Sequence, residues 1–227
     1  MALVQNKEIE AFTTADLRRR ARGVLAPLES RVNAGSDAPA GRNDFELNPE
    51  LEVLADTEHK RPAAVLITVI EGAKQASILF TQRTDELPTH AGQISFPGGK
   101  MDIGDTNVVE TALREAREEI GLEAEYIDTI GFLDDYITST GYRISPLVAV
   151  IRQGYSITPD RREVAEVFDV PLSFLMNVQN HEMHSREWRG AQRKFYAMPY
   201  GNRFIWGATA GMLRNLYEWL YKLEPET

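Results

Sequence analysis

Three glutamates, Glu115, Glu118 and Glu119, fall within the stretch "REAREEIGL" at positions 114–122. On an α-helix, positions i, i+3 and i+4 share one face, so three carboxylates stand side by side. Like charges at that spacing cost about a few tenths of a kcal/mol each in water. A divalent cation turns the repulsion into attraction. Hard oxygen ligands suit Mg²⁺ or Mn²⁺, and Mg²⁺ keeps waters and substrate phosphate oxygens in its shell. Read alone, the same residues also describe a solvated acidic face partly neutralised by Arg114 and Arg117. The preceding "FPGGKMDIGD" puts Gly98 and Gly99 where a strand ends, and glycine permits backbone approaches that side chains block. A tight loop running into a carboxylate helix suits a diphosphate held through a bridging metal.

These groups need a helix and a strand end to position them. "TNVVETALREAREEI" predicts the helix, with Val109, Ala112, Leu113, Ala116 and Ile120 as its apolar stripe and Gly121 as its stop. That stripe faces away from the glutamates, which therefore need not be buried. Upstream, "AAVLITVI" and "SILFTQR" read as a strand pair, and "GQISFPGGK" as a further strand. Downstream come strands in "YIDTIGFLDDYI" and "YRISPLVAVI", a loop at "SITPDRREVAEV", and a hairpin through "MHSREWRG" and "RKFYAMPYG". A last helix follows in "GATAGMLRNLYEWLYKLE". Strands on both sides of a central helix imply an α/β fold, an α/β/α sandwich with a mixed central sheet.

Residues 1–60 read as a peripheral N-terminal helical arm and loop, and 61–227 as the main domain. In the arm, "TTADLRRRARGVLAPLESRV" predicts one helix capped by Thr14, with Leu17, Val24, Leu25 and Leu28 at helical spacing. Arg18, Arg19, Arg20 and Arg22 read as its solvated face. "NAGSDAPAGRND" then reads as a loop.

Composition narrows the function. Hydrophobic residues make up 43% of the 227 and charged residues 26%, which is ordinary globular usage. A net charge of −9 argues against a broad basic surface for nucleic acid, while a small anionic ligand can be received by a local cation or metal. With no cysteine there is no disulfide, thiolate metal site or cysteine nucleophile. The first residues, "MALVQNKEIEAF", lack a secretory apolar core, and no apolar run approaches the roughly 20 residues needed to span a bilayer. The expectation is a cytoplasmic protein with no membrane partner, acting on a small molecule, with a homodimer as the expected assembly.

The stretch "GGKMDIGDTNVVETALREAREEIGL" resembles the Nudix box, whose latter half is matched in full from Arg114 to Leu122. In the first half, Asp105 holds the acidic position in place of Glu, and one extra residue lies between Asp105 and Arg114. That insertion is similar to the coenzyme A diphosphatase subgroup. Further resemblance to that subgroup lies in "LFTQRTDELPTHAGQISFPGG", "TSTGYRISPLV", "EVAEVFDVPLSFL" and "FIWGATAGML", so it spans roughly positions 60 to 220. Where the subgroup has a small residue after the arginine and a second arginine four positions later, this chain has Thr84 and Pro88. Proline has no charge to offer a phosphate.

The resemblance implies a Nudix α/β/α fold and metal-dependent hydrolysis of the coenzyme A diphosphate to 3′,5′-ADP and 4′-phosphopantetheine. Glu115, Glu118 and Glu119 are the implied metal ligands for Mg²⁺ or Mn²⁺, and Arg114 the residue that orients them, through a carboxylate such as Asp105. Arg83 is a candidate phosphate contact because a guanidinium offers a bidentate fork. Gly98 and Gly99 are placed at the substrate, with His90 near them as either a substrate contact or a structural histidine. Of the distant acids Glu163 and Glu166, Glu163 is the better placed to join the catalytic group. His181 and His184 are assigned no role. Trp206, Tyr217, Trp219 and Tyr221 read as the packing face of the last helix, with base stacking as the other reading. Another diphosphate such as ADP-ribose, or a nucleotide-sensing protein without catalysis, remain the alternatives.

Overall fold

In the computed structural model the described residues are 10–32, 40–49, 60–87, 89–188 and 190–222. Pro88, the N-terminal residues 1–9 and most of the loop expected at 33–44 lie outside them. In chain order the described residues form α1 (Thr14–Ala21), α2 (Glu29–Val32), β1 (Ala40–Asn43), β2 (Arg61–Glu71), β3 (Ala76–Arg83), β4 (Ile94–Ser95), β5 (Gly98–Lys100) and α3 (Val108–Ile120). There follow β6 (Ile127–Phe132), β7 (Asp135–Ile137), β8 (Tyr142–Ile151), β9 (Val164–Pro171), α4 (Leu172–Leu175), β10 (Glu182–Trp188), β11 (Ala191–Tyr200), β12 (Arg203–Trp206) and α5 (Ala208–Leu220).

The larger sheet runs β1-β7-β8-β2-β3-β4, with β5 also on β2, β6 on β8 and β9 on β3. It is mixed: β2 pairs parallel with β8 and antiparallel with β3 and β5. Both faces of its central strands are covered, so their alternation sorts apolar residues into two cores rather than into core and solvent. Val65, Ile67 and Val69 of β2 join Val148 and Val150 of β8 in a core closed by Leu17 of α1 and Leu213 and Leu216 of α5. Ala64, Leu66, Leu147 and Ala149 face the other way, against Ala112, Ala116 and Ile120 of α3. The architecture is the α/β/α sandwich expected. A second sheet, β10-β11-β12, adds a strand to the expected hairpin.

Several local expectations are corrected. The first helix ends at Ala21, because Arg22 is extended and Gly23 takes φ 72°. A separate turn of helix resumes at Glu29, and Val24 is exposed. The N-cap is Thr13, whose hydroxyl accepts from the Asp16 N–H at 3.2 Å. The arginines of α1 are not simply solvated. Arg18 pairs with Asp128 at 2.5 Å, and Arg19 and Arg20 both hold Asp16. Nor are the described residues of the first 60 peripheral, since Leu17 is in the main core and β1 pairs with β7. "GQISFPGGK" is two short strands, interrupted at Phe96 and Pro97. The loop expected through Val167 ends earlier, since β9 begins at Val164 in antiparallel pairing with β3.

Asp16 is the buried anchor of α1. It is 1% exposed and accepts from the Phe12 N–H at 3.1 Å, Arg19 Nη2 at 2.5 Å and Arg20 Nε at 3.0 Å. Burial alone raises its pKa, but these donors outweigh burial and the net direction is down. A carboxyl with a lowered folded pKa contributes stability above its unfolded value of about 3.9 and loses it as pH falls through the folded value. Asp16→Asn is expected to cost about 2 kcal/mol at pH 7, a fall of roughly 4–8 °C in Tm. In urea unfolding, the gap between the two proteins should narrow as pH is lowered from 5 toward 2. A gap independent of pH would show that the charge of Asp16 is not what holds α1.

Candidate active site

The helix that carries the glutamates is fixed at both ends. The Asn107 side chain accepts from the N–H groups of Val109 and Glu110 at 3.0 Å, while Gly121 closes the other end with φ 66°. Ala112, Ala116 and Ile120 are fully buried against the sheet. Small residues under the helix bring it close, and the glutamates are drawn in with it. Glu118 stays out, with its side chain 53% exposed, but that of Glu115 is only 16% exposed. Glu119 is buried, although the sequence pattern did not require it to be.

Gly98 and Gly99 lie on β5, paired with Val65 and Ala64 of β2. A Cβ on Gly98 would stand 2.4 Å from the Ala64 carbonyl oxygen, and one on Gly99 would stand 2.5 Å from Glu115 Oε1. At Gly98 backbone blocks any side chain, whereas at Gly99 a side chain would have to displace the Glu115 carboxylate. The Gly98 N–H donates to Glu119 Oε2 at 3.3 Å, and Arg83 Nη1 stands 3.9 Å from Glu119 Oε1. Burial, then the neighbouring charge of Glu115, pushes the Glu119 carboxyl up to about 8. Burial likewise raises Glu115.

Arg114 is the hub of this acidic face. Its Nε and Nη2 form a fork on Asp105 at 2.9 Å, and its Nη1 donates to both Glu115 Oε1 and Glu118 Oε2 at 2.9 Å. The guanidinium, with the Asp102 N–H and the Thr111 hydroxyl, holds the Asp105 carboxyl down at about 2. Asp105 is therefore the carboxylate partner of Arg114.

Glu163 reaches the site through its loop. The Thr158 and Asp160 N–H groups donate to the carbonyls of Ile120 and Glu119 at 2.8 and 2.9 Å, and the Thr84 N–H donates to the Glu163 carbonyl at 3.0 Å. This brings the charge of Glu163 close enough to raise Glu119. Glu166 points elsewhere, paired with Arg203.

An open cavity of about 440 Å³ lies beside Gly98 and Gly99, and Arg83 and His90 also line it. His90 has φ 58°, uncommon for a residue with a side chain, and its Nδ1 is 2.7 Å from Gln93 Oε1. His181 and His184 turn to different partners, the Leu175 carbonyl at 2.7 Å and Glu182 at 2.7 Å. Two aromatic assignments change. Trp206 lies on β12 and lines the cavity, and Trp219 is 52% exposed with its Nε1 bonded to Asp134 at 3.1 Å. Arg186, Arg193 and Asp44 also line the cavity, and the sequence reading passed over them. Their one sequence signal was basic residues flanking a tryptophan-bearing hairpin.

Among the described residues no three His, Cys, Asp or Glu side chains converge on one point. Arg114 Nη1 stands between Glu115 and Glu118, and Glu119 is turned to Gly98. The donor set nonetheless fits a hard divalent cation. All three donors are carboxylates, and two of them are raised by burial beside like charge, which a cation relieves.

The NUDIX domain model matches residues 59–193, more than half of the chain. A Citrobacter koseri protein, "Uncharacterized Nudix hydrolase NudL", is 36% identical over 165 residues, covering 73% of this chain and 85% of that one. Its namesake in Escherichia coli O7:K1 is 35% identical over 170 residues, covering 75% and 87%. Among solved structures, the MutT protein of Methanosarcina mazei Go1 aligns at a TM-score of 0.44 and 16% identity, over 72% of this chain and 94% of that one. The C. elegans Ap4A hydrolase binary complex aligns at 0.43 and 19%, over 49% and 80%. On the family model and the NudL relatives, this chain is a member of the Nudix hydrolase family, whose enzymes cleave phosphorus-containing anhydrides and generally need divalent cations.

Proposed function

We propose that the protein hydrolyses the diphosphate of coenzyme A or a derivative, giving 3′,5′-ADP and 4′-phosphopantetheine or its acylated form, with Mg²⁺ or Mn²⁺. One observation carries this reading. Of the four segments that resemble coenzyme A diphosphatases, three far apart in the chain, 79–99, 138–148 and 204–213, contribute to the wall of a single cavity beside Gly98 and Gly99.

Glu115, Glu118 and Glu119 hold the cation. When bound, it neutralises charge on the diphosphate and activates water. Arg114 sets the spacing of Glu115 and Glu118, and Asp105 fixes Arg114. Arg83 takes a phosphate oxygen; its Nε is buried without a hydrogen-bond partner among the described residues, a donor that such an oxygen satisfies. Gly98 and Gly99 leave the floor bare for the diphosphate, and His90 contacts substrate from the rim. Glu163 joins the acidic group from the far side of Glu119. The ligand is a small molecule, and residues 61–227 carry all of these groups.

The test is turnover of coenzyme A, acyl-coenzyme A, ADP-ribose, NADH, diadenosine polyphosphates and nucleoside triphosphates with Mg²⁺ or Mn²⁺. The highest kcat/KM is expected for coenzyme A or its acyl form. A clear preference for ADP-ribose would sink the coenzyme A assignment, and no turnover at all would sink the enzymatic one. Glu118→Gln and Glu119→Gln should each lower kcat by on the order of a hundredfold or more, with the circular dichroism spectrum unchanged. Retained activity would remove these residues from the metal site. Gly99→Ala should lower activity by displacing the Glu115 carboxylate while Glu118 and Glu119 stay in place. Wild-type activity in that variant would mean the contact between Gly99 and Glu115 is dispensable.

A further inference from the structure

The cavity has a second cationic group that diphosphate chemistry leaves unused. Arg186 on β10 lies with its guanidinium 4.6 Å from the centroid of the Trp206 indole, and Trp206 packs on Phe195 at 5.2 Å. Arg193 stands opposite Arg186 in the β10–β11 register. Its Nη2 is 2.5 Å from Asp44 Oδ2. Asp44 is itself saturated, accepting from the Tyr136 hydroxyl and from the Ser139 N–H and hydroxyl at 2.9 Å. Arg193 is thereby fixed in place. Arg186 has no carboxylate partner among the described residues.

The charge distribution makes this more than a surface ornament. The chain carries a net charge of −9, yet Arg83, Lys100, Arg186 and Arg193 line one cavity in which Asp44 is the sole acid among the described lining residues. Arg83 lies at the glutamates, whereas Arg186 and Arg193 belong to the other sheet, with Val65, Ile144 and Met212 among the apolar lining. A diphosphate occupies the first cluster and has no use for the second. A guanidinium held over an indole by cation–π attraction keeps N–H donors for an anion and loses little freedom on binding it. The hydroxyl residues Thr138, Ser139 and Thr140 also line the cavity. A planar platform, hydroxyls and a fixed cationic fork together suit a nucleoside that bears a phosphate of its own.

We propose that Arg186, lying over Trp206 and backed by Arg193, receives a second phosphate, carried as a monoester on the ribose of the diphosphate substrate. The proposal rests on the diphosphatase reading and deepens it, since it assigns the nucleoside end of the substrate to the β10–β12 wall of the cavity.

Binding separates the two ideas, because it needs no turnover. Titration calorimetry on the full chain with 3′,5′-ADP and 5′-AMP compares ligands that differ only in the ribose phosphate. Wild type is expected to bind 3′,5′-ADP at least about tenfold tighter. Arg186→Gln should abolish most of that preference, and Arg186→Lys, which keeps charge without the planar guanidinium, should retain part of it. In kinetics, Arg186→Gln should lower kcat/KM for coenzyme A more than for 3′-dephospho-coenzyme A, through KM. Equal binding of the two nucleotides by wild type, or a preference that survives Arg186→Gln, would overturn the subsite. Turnover of both coenzymes at equal kcat/KM with equal binding leaves the diphosphatase reading standing and removes the subsite. Absence of turnover with a lost preference in Arg186→Gln does the reverse. Including 2′,5′-ADP resolves which ribose hydroxyl carries the phosphate: tighter binding of that isomer supports the subsite and counts against coenzyme A.

Discussion

The Glu115 carboxylate lies where a side chain on Gly99 would stand, and this closeness of α3 to β5 shapes the acidic face. A methyl group there would stand 2.5 Å from Glu115 Oε1. Small residues continue beneath it: Ala112 and Ala116 of α3 pack in one core with Ala64 of β2, the residue that faces Gly99 in the β2–β5 ladder. Close approach of a helix to a sheet requires such small residues along the contact line. The helix comes near enough that the Glu119 carboxyl meets strand backbone instead of water. Glu119 then receives the Gly98 N–H and is pushed up to about 8.

Crowding acids in this way demands a counterweight, and Arg114 supplies it in a form that lysine cannot. A planar guanidinium has donors pointing in several directions at once. One edge takes both oxygens of Asp105, and the remaining nitrogen bridges Glu115 and Glu118. The outcome is uneven. Asp105 is held down at about 2, while Glu119, out of reach of Arg114 and buried, goes the other way. Environment rather than residue type sets the two carboxyls apart, one held down by a guanidinium and the other pushed up by burial.

How far this was legible in the sequence follows from how local each feature is. The α3 helix, its apolar stripe and its glycine stop are encoded within about four turns, and all appear as read. The partnership of Arg114 with a carboxylate such as Asp105 came from the resemblance to the Nudix box, and Asp105 is among the carboxylates that Arg114 holds. Burial of Glu119 was not legible, because helical spacing gives a face but not what packs over it; here β5 and the loop before β9 do. The break after Ala21 was hidden for a related reason: Val24, Leu25 and Leu28 keep helical spacing while Gly23 turns the chain out of the helix. Arg186, Arg193 and Asp44 come from separate parts of the chain, and only the placing of the smaller sheet against the larger brings them to one cavity.

The end of α3 shows how the chain at Glu163 is brought toward the glutamate helix. The last turn of a helix leaves carbonyls without intrahelical partners. In α3 the carbonyls of Glu119 and Ile120 are met by the N–H groups of Asp160 and Thr158, 2.9 and 2.8 Å away. Gly121 leaves room for this, since a Cβ there would lie 3.1 Å from Thr158. The loop then turns so that the Glu163 carbonyl accepts from the Thr84 N–H, one residue beyond Arg83. The bonds that satisfy the helix end thus tie three places together: the buried carboxyl of Glu119, the strand end bearing Arg83, and the backbone of Glu163. Obligatory backbone pairing of this kind fixes where the chain of Glu163 runs without any bond to its carboxylate.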